Sequence, residues 1–99
     1  MLKIENIRDN ENLTIKLYGK LDITTSSDLE KVVKGDLDDV KYLEFDFSEL
    51  EYISSSGLRV LLIAIKKMNT QGELIVSNAN EVVKEVFKIT GFHNLVKMV

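Results

Sequence analysis

Three consecutive hydroxyls, on residues 54–56, stand directly before Gly57 in the stretch YISSSGLRVLL. A serine hydroxyl can act as a nucleophile, accept a phosphoryl group, or cap a helix by accepting a hydrogen bond from one of its first amides. Capping needs a single hydroxyl, so the other two leave covalent chemistry or modification open. Gly57 lowers helix propensity by about 1 kcal/mol relative to alanine, which indicates that another group approaches the backbone closely here.

The segment after the serines is predicted to be an amphipathic helix that runs from about Ser56 to Asn69. Its apolar residues recur at the spacing of one helix face, which would lie on a sheet. They are Leu58, Leu61, Leu62, Ile65 and Met68. The apolar surface is broader than this stripe, because Val60, Ile63 and Ala64 extend it. Two explanations are open: burial against neighbouring helices, or a docking surface for a partner.

The flanking residues predict the strands that would hold the serines. Residues 2–4 and 13–17 alternate between apolar and polar types across the turn-like stretch 9–12, a pattern typical of a β-hairpin. The stretch YLEFDF (42–47) alternates again and predicts a third strand, which ends shortly before the serines. Residues 74–76 form a short apolar run, typical of a strand that helices cover on both faces.

Residues typical of helix ends predict two further helices. Thr25 is the expected N-cap of a first helix that ends near Gly35. Asn80 is the expected N-cap of a last helix, and Gly91 is placed to end it in a left-handed conformation. Residues 95–99 then predict a final strand.

The predicted order is β-β-α-β-α-β-α-β, which makes the chain an α/β protein with a mixed β-sheet and packed α-helices. The hairpin supplies an antiparallel pair, and the strands that alternate with helices are expected to be parallel neighbours. With 99 residues the chain has room for one domain, which we predict to span residues 1–99. The serines fall at the carboxyl end of the third strand, where open α/β sheets place their functional groups.

Composition limits the classes of function. The chain has 13 basic and 16 acidic residues, a net charge of −3 and no basic block, which argues against nucleic acid as a partner. It contains no cysteine for a disulfide or a thiolate metal site, and we expect neither a metal nor an organic cofactor. No segment has the length and apolar character of a signal sequence or a membrane span, so we expect a cytoplasmic protein without membrane contact.

Four segments carry a resemblance to one known family, and the resemblance extends over nearly the whole chain. They are GKLDITTSSDLE, FDFSELE, YISSSGLRVLL and VKEVFKITGF. The resemblance is to the STAS domain, specifically the bacterial anti-sigma factor antagonists, which act as partner switches rather than enzymes. It implies two partners: an anti-sigma factor with serine kinase activity, which the unmodified form binds so that a sigma factor is freed, and a phosphatase that reverses the modification. A weak homodimer is an alternative to a monomer.

The resemblance also implies roles for the residues of the serine loop. Gly57 and Leu58 match the end of the family's loop, so Ser55 falls on the residue that is phosphorylated. Ser56 falls on the second hydroxyl of the family pattern. Ser54 stands where many members have an aspartate.

Residues outside the serine loop receive roles from the same resemblance. Asp22 matches an acidic position in the loop after the second strand, and Asp46 matches an acidic residue at the end of the third strand. Both are expected to lie near the modified serine. Thr24, Leu58 and Arg59 are expected to bind the partner protein.

Other functions are open alternatives. In an enzyme, Ser55 would be the nucleophile and His93 the base, although the loop lacks the GxSxG pattern of a nucleophile elbow. Asp22 or Asp46 would then orient the base. A nucleotide-binding STAS module is a further alternative, although the chain has no GxxxxGK[ST] sequence and Arg59 is the only cation of the loop and first turn. The last alternative is a STAS module that serves another signalling pathway.

Overall fold

The computed structural model describes residues 2–99 and contains five strands, three α-helices and one 3₁₀ helix. In chain order they are β1 (Leu2–Asp9), β2 (Asn12–Leu21), α1 (Ser26–Asp36), β3 (Tyr42–Ile53), α2 (Ser55–Asn69), β4 (Glu73–Ser77), α3 (Glu81–Thr90), the 3₁₀ helix (Phe92–Asn94) and β5 (Lys97–Met98). The predicted order of elements is confirmed. Within residues 2–99, no helix is both long and apolar enough to cross a membrane.

The strands form one sheet in the order β1-β2-β3-β4-β5, with β1 antiparallel to β2 and the other neighbours parallel. Along β2, Leu13, Ile15 and Leu17 are buried, and the residues between them are partly exposed. The helices therefore cover one face of the sheet, and the other face is open to solvent. The expectation that β4 is covered on both faces is wrong, because Ile75 is only half-buried and lines an open groove beside Glu44.

β3 is twice as long as the sequence pattern predicted. The pattern identified only its first half, because extra residues interrupt the alternation of the second half. Between Asp46 and Glu49, β3 advances three residues while β2 advances two. A second extra residue lies between Leu50 and Tyr52. Such β-bulges break the period of two that identifies a strand in sequence. The strand nevertheless continues to Ile53, which is buried, and so reaches the first serine.

The C-terminal part of the chain agrees with the predicted helix but not with the predicted strand. Asn80 caps α3, with its Oδ1 accepting a hydrogen bond from the amide of Val83 at 2.8 Å. Gly91 ends α3 with a left-handed φ of 82°. The strand predicted over 95–99 is reduced to β5, because the amide of Leu95 donates to the preceding 3₁₀ helix instead of to a strand.

The broad apolar surface of α2 is explained by its neighbours. α2 packs against α1 as well as against β3 and β4. Val60 and Ala64 are fully buried, and Ile63 is partly buried against the core. Burial against other elements thus accounts for these three side chains without a docking role. The prediction that Leu62 belongs to the buried stripe is wrong, since this side chain is only half-buried.

Candidate functional site

The serine loop lies beside the turn that follows β2. Leu21 at the end of β2 pairs with Ile53 at the end of β3, and the amide of Ser54 donates to the Leu21 carbonyl at 2.9 Å. Ser54 is the N-cap of α2, and its Oγ accepts a hydrogen bond from the amide of Gly57 at 3.4 Å. Ser55 is the first residue of the helix and is exposed. Capping therefore engages Ser54 and leaves Ser55 facing solvent.

The group that approaches Gly57 is the core of the domain itself. A Cβ on Gly57 would lie 2.7 Å from Cγ of Leu21 and 3.0 Å from Cγ1 of Ile53. Gly57 is buried, and Leu58 is only 5% exposed. The expectation that Leu58 contacts a partner is therefore corrected: these two residues seat the first turn of α2 on the ends of β2 and β3.

One carboxylate oxygen of Asp22 organises the turn of residues 22–25. It accepts hydrogen bonds from the amide and hydroxyl of Thr24, at 3.0 and 2.8 Å, and from the amide of Thr25 at 3.2 Å. The Thr24 hydroxyl is the main cause of the lowered pKa of Asp22, which desolvation opposes. Thr25 occupies the predicted N-cap position of α1 but makes no side-chain cap bond. Its hydroxyl oxygen accepts instead from the amide of Asp22 at 2.9 Å and donates to the Lys20 carbonyl at 2.9 Å.

We expect the 22–25 turn to loosen when Asp22 is protonated. The pKa of Asp22 in the folded chain lies below its ordinary value of 3.8. The stabilisation is therefore complete above that value and is lost as the pH falls through the lower folded-state pKa. In NMR spectra, the amide protons of Thr24 and Thr25 should shift together at pH below 3.8.

The two variants that test this titration each remove one carboxylate. Asp22→Asn should abolish the acidic shift of the turn amides. Asp28→Asn removes an exposed carboxylate from the adjacent first turn of α1 and should leave the shift in place. A titration that persists in Asp22→Asn would show that another group controls the turn.

Asp46 does not lie near the serines, so its predicted place beside the modified residue is corrected. It pairs with Lys16 and Ser77 inside the sheet, seven residues before Ile53. At about 3.3 Å per strand residue, this separation is roughly 20 Å. Partial burial raises the pKa of Asp46, but hydrogen bonds, chiefly from the amide of Ser48 at 2.9 Å, lower it below its usual value.

Three exposed side chains lie on the two segments that meet at this end of the sheet, the 22–25 turn and the first turns of α2. Thr24 and Arg59, both predicted to bind a partner, are exposed. Ile23, which the sequence reasoning missed, is 77% exposed on the 22–25 turn. The sequence does contain a signal for Ile23, because it is an apolar residue inside a polar turn. Arg59 forms an ion pair with Glu30 of α1, with 3.1 Å between Nη2 and Oε1.

His93 lies at the other end of the domain from Ser55. Its neighbour Leu95 lines a groove with Asn69, the last residue of α2, whereas Ser55 is the first. A helix of 15 residues is about 22 Å long. The structure therefore does not bring together the nucleophile and base that the enzymatic alternative requires. Within residues 2–99, no cluster of three His, Cys, Asp or Glu side chains could hold a metal ion.

Comparison with known proteins identifies the family. A sequence profile described as the STAS domain matches residues 3–99. The chain belongs to the STAS domain family. A STAS relative, the BtrV protein of Bordetella bronchiseptica, is described as an anti-sigma factor antagonist. It is 36% identical over 78 residues, which span 77% of this chain and 67% of BtrV. The resemblance inferred from the sequence is confirmed.

Solved structures share this STAS fold. An anti-sigma factor antagonist from Mycobacterium paratuberculosis superposes with a TM-score of 0.90 at 18% identity, over 99% of this chain and 85% of that protein. The anti-sigma factor antagonist SpoIIAA in its unphosphorylated form superposes with a TM-score of 0.76 at 20% identity, over 100% of this chain and 87% of SpoIIAA. The predicted STAS-like α/β fold is therefore confirmed.

Proposed function

We propose that this STAS domain is a cytoplasmic anti-sigma factor antagonist that works as a phosphorylation-controlled partner switch. The unmodified form binds an anti-sigma factor that is also a serine kinase, which frees the sigma factor. Phosphorylation of Ser55 ends this binding, and a phosphatase restores it. The domain itself catalyses no reaction. The observation that carries the proposal is the exposure of Ser55 at the start of α2, beside a serine that is already engaged as the cap.

A phosphate on Ser55 is expected to leave the free domain folded. It adds about −1.5 to −2 charge, so the net charge changes from −3 to about −5. The first turn of α2 contains no acidic residue. The amino end of a helix favours a nearby anion by about 0.3 to 1 kcal/mol. Because Ser55 is exposed, water and salt also screen its repulsion from Asp22.

A bound partner changes this balance, because it removes water from the serine loop. An uncompensated buried charge costs about 3 to 5 kcal/mol, several times the stabilisation that the helix end provides. The same phosphate is therefore tolerated in the free domain and opposes the complex.

The exposed side chains around Ser55 define the proposed docking surface, which consists of Ile23, Thr24, Ser55 and Arg59. The hydrogen bonds to Asp22 hold the turn that presents Ile23, so little conformational freedom is lost there on binding. An exposed apolar side chain on an ordered turn is suited to an apolar pocket on the partner. In this surface, the exposed Ile23 replaces the buried Leu58 among the expected contacts.

Incubation with the serine kinase of its own signalling system and ATP tests the assignment. We expect mass spectrometry to place one phosphate on Ser55, and Ser55→Ala to abolish incorporation. Ser54→Ala and Ser56→Ala are the matched controls and should still be modified. A phosphate on residue 54 or 56, or incorporation that survives in Ser55→Ala, would contradict the proposal.

A further inference from the structure

We propose that, when Ser55 is phosphorylated, Arg59 breaks its ion pair with Glu30 and forms an ion pair with the phosphate instead. The modification would then alter the docking surface in two ways, by adding an anion and by withdrawing a cation. This inference rests on the proposed function, which makes Ser55 the modified residue.

Ser55 and Arg59 stand four residues apart at the start of α2, and both are exposed. Side chains at this spacing lie on the same side of a helix, with their Cβ atoms about 5 to 6 Å apart. An anion placed four residues before a cation is the favourable orientation of such a pair. Long side chains in helices favour rotamers that lean toward the amino end, and such a rotamer would bring the guanidinium of Arg59 toward Ser55.

In the unmodified domain, Arg59 forms an ion pair with Glu30, and Glu30 also forms an ion pair with Lys34. Nη2 of Arg59 lies 3.1 Å from one carboxylate oxygen of Glu30, and Nζ of Lys34 lies 2.7 Å from the other. Lys34, followed by Arg59, lowers the pKa of Glu30. Glu30 therefore keeps a close cation when Arg59 leaves, so the exchange leaves no carboxylate without a counter-charge.

The phosphate is the stronger competitor for Arg59. It carries up to about twice the charge of a carboxylate and three acceptor oxygens. A guanidinium binds such oxygens in pairs through its fixed fork of N–H groups. The side chain of Arg59 is 60% exposed, so packing does not hold it against Glu30.

Phosphoserine incorporated at position 55 during translation gives the modified domain without a kinase, so this test is independent of whether a kinase acts on Ser55. We expect ³¹P NMR to show a lower second pKa of the phosphoserine in the otherwise unaltered domain than in Arg59→Gln. The expected difference is a few tenths of a pH unit. Lys66→Gln removes an exposed cation two turns further along α2 and should leave this pKa unchanged.

The carboxyl group of Glu30 provides the second readout, by ¹³C NMR. Phosphorylation should raise the pKa of Glu30, because Arg59 no longer lowers it. In the Arg59→Gln background, phosphorylation should leave the pKa of Glu30 unchanged, which separates the exchange from direct repulsion by the phosphate. Equal phosphoserine pKa values with and without Arg59, or a constant pKa of Glu30 in the unaltered background, would overturn the exchange and leave the proposed function intact.

Discussion

Phosphorylation of Ser55 is expected to weaken the complex with the anti-sigma factor by about two to three orders of magnitude, with little change in the thermal midpoint of the free domain. The weakening follows from the roughly 3 to 5 kcal/mol cost of a buried unpaired charge, at about 1.4 kcal/mol for each factor of ten. In the free domain the same phosphate meets water and the amino end of α2, so folding is hardly affected. Calorimetric titration measures the first effect, and circular dichroism on heating measures the second.

Ser55→Asp and Asn69→Asp form a matched pair for this prediction. Each adds one carboxylate to an exposed position of α2, at its first and its last residue. We expect Ser55→Asp to lose partner binding and Asn69→Asp to keep it. If the partner binds the phosphorylated and unmodified domains equally tightly, the switch is not electrostatic. If Ser55→Asp fails to fold, the role of Ser55 is to start the helix.

Local signals explain which parts of the fold could be predicted from the sequence. The side chain of Asn80 caps the start of α3, and the backbone of Gly91 adopts the left-handed conformation that ends it. Both signals belong to the residue type itself, so the ends of α3 were predicted closely. β3 lacked such a signal beyond residue 47, because its bulges interrupt the alternation. Asp46 was expected near the serines because the resemblance matched it to an acidic residue at the end of the third strand. The bulged strand continues to Ile53, so Asp46 lies within β3 and not at its end.

The surface of the site was harder to predict, because exposure is a property of the tertiary structure. Leu58 has the same residue type whether it faces a partner or the core, and only the packing of α2 on the ends of β2 and β3 decides between them. The exposure of Ile23 depends on the turn that Asp22 holds. The ion pair of Arg59 with Glu30 joins residues 29 positions apart, for which a single sequence contains no signal.

Gly57 and Gly35 are expected to respond in opposite ways to substitution by alanine. A Cβ on Gly57 would meet two atoms of Leu21 and one of Ile53 at 3.0 Å or less. Overpacking of this kind costs about 1 to 3 kcal/mol, and with three such contacts the upper half of that range applies. The better helix propensity of alanine offsets about 1 kcal/mol, so Gly57→Ala should lower the free energy of unfolding by about 1 to 2 kcal/mol.

Gly35→Ala is the control, because nothing lies within 4 Å of a Cβ built on Gly35 in α1. It should raise the free energy of unfolding by about 0.5 to 1 kcal/mol. Each kcal/mol should move the thermal midpoint by about 4 to 8 °C for a domain of this size. The two variants should therefore shift the midpoint in opposite directions when heated under the same conditions.

Partner affinity should separate these two variants as well. Leu21 and Ile53 directly precede the 22–25 turn and the serine loop, so a side chain at Gly57 that displaces them also displaces both parts of the docking surface. Gly57→Ala should bind the partner more weakly, and Gly35→Ala should bind it as the unaltered domain does. If Gly57→Ala changed the affinity but not the midpoint, the glycine would serve a close approach of the partner to the backbone, and not the packing of α2 on the sheet.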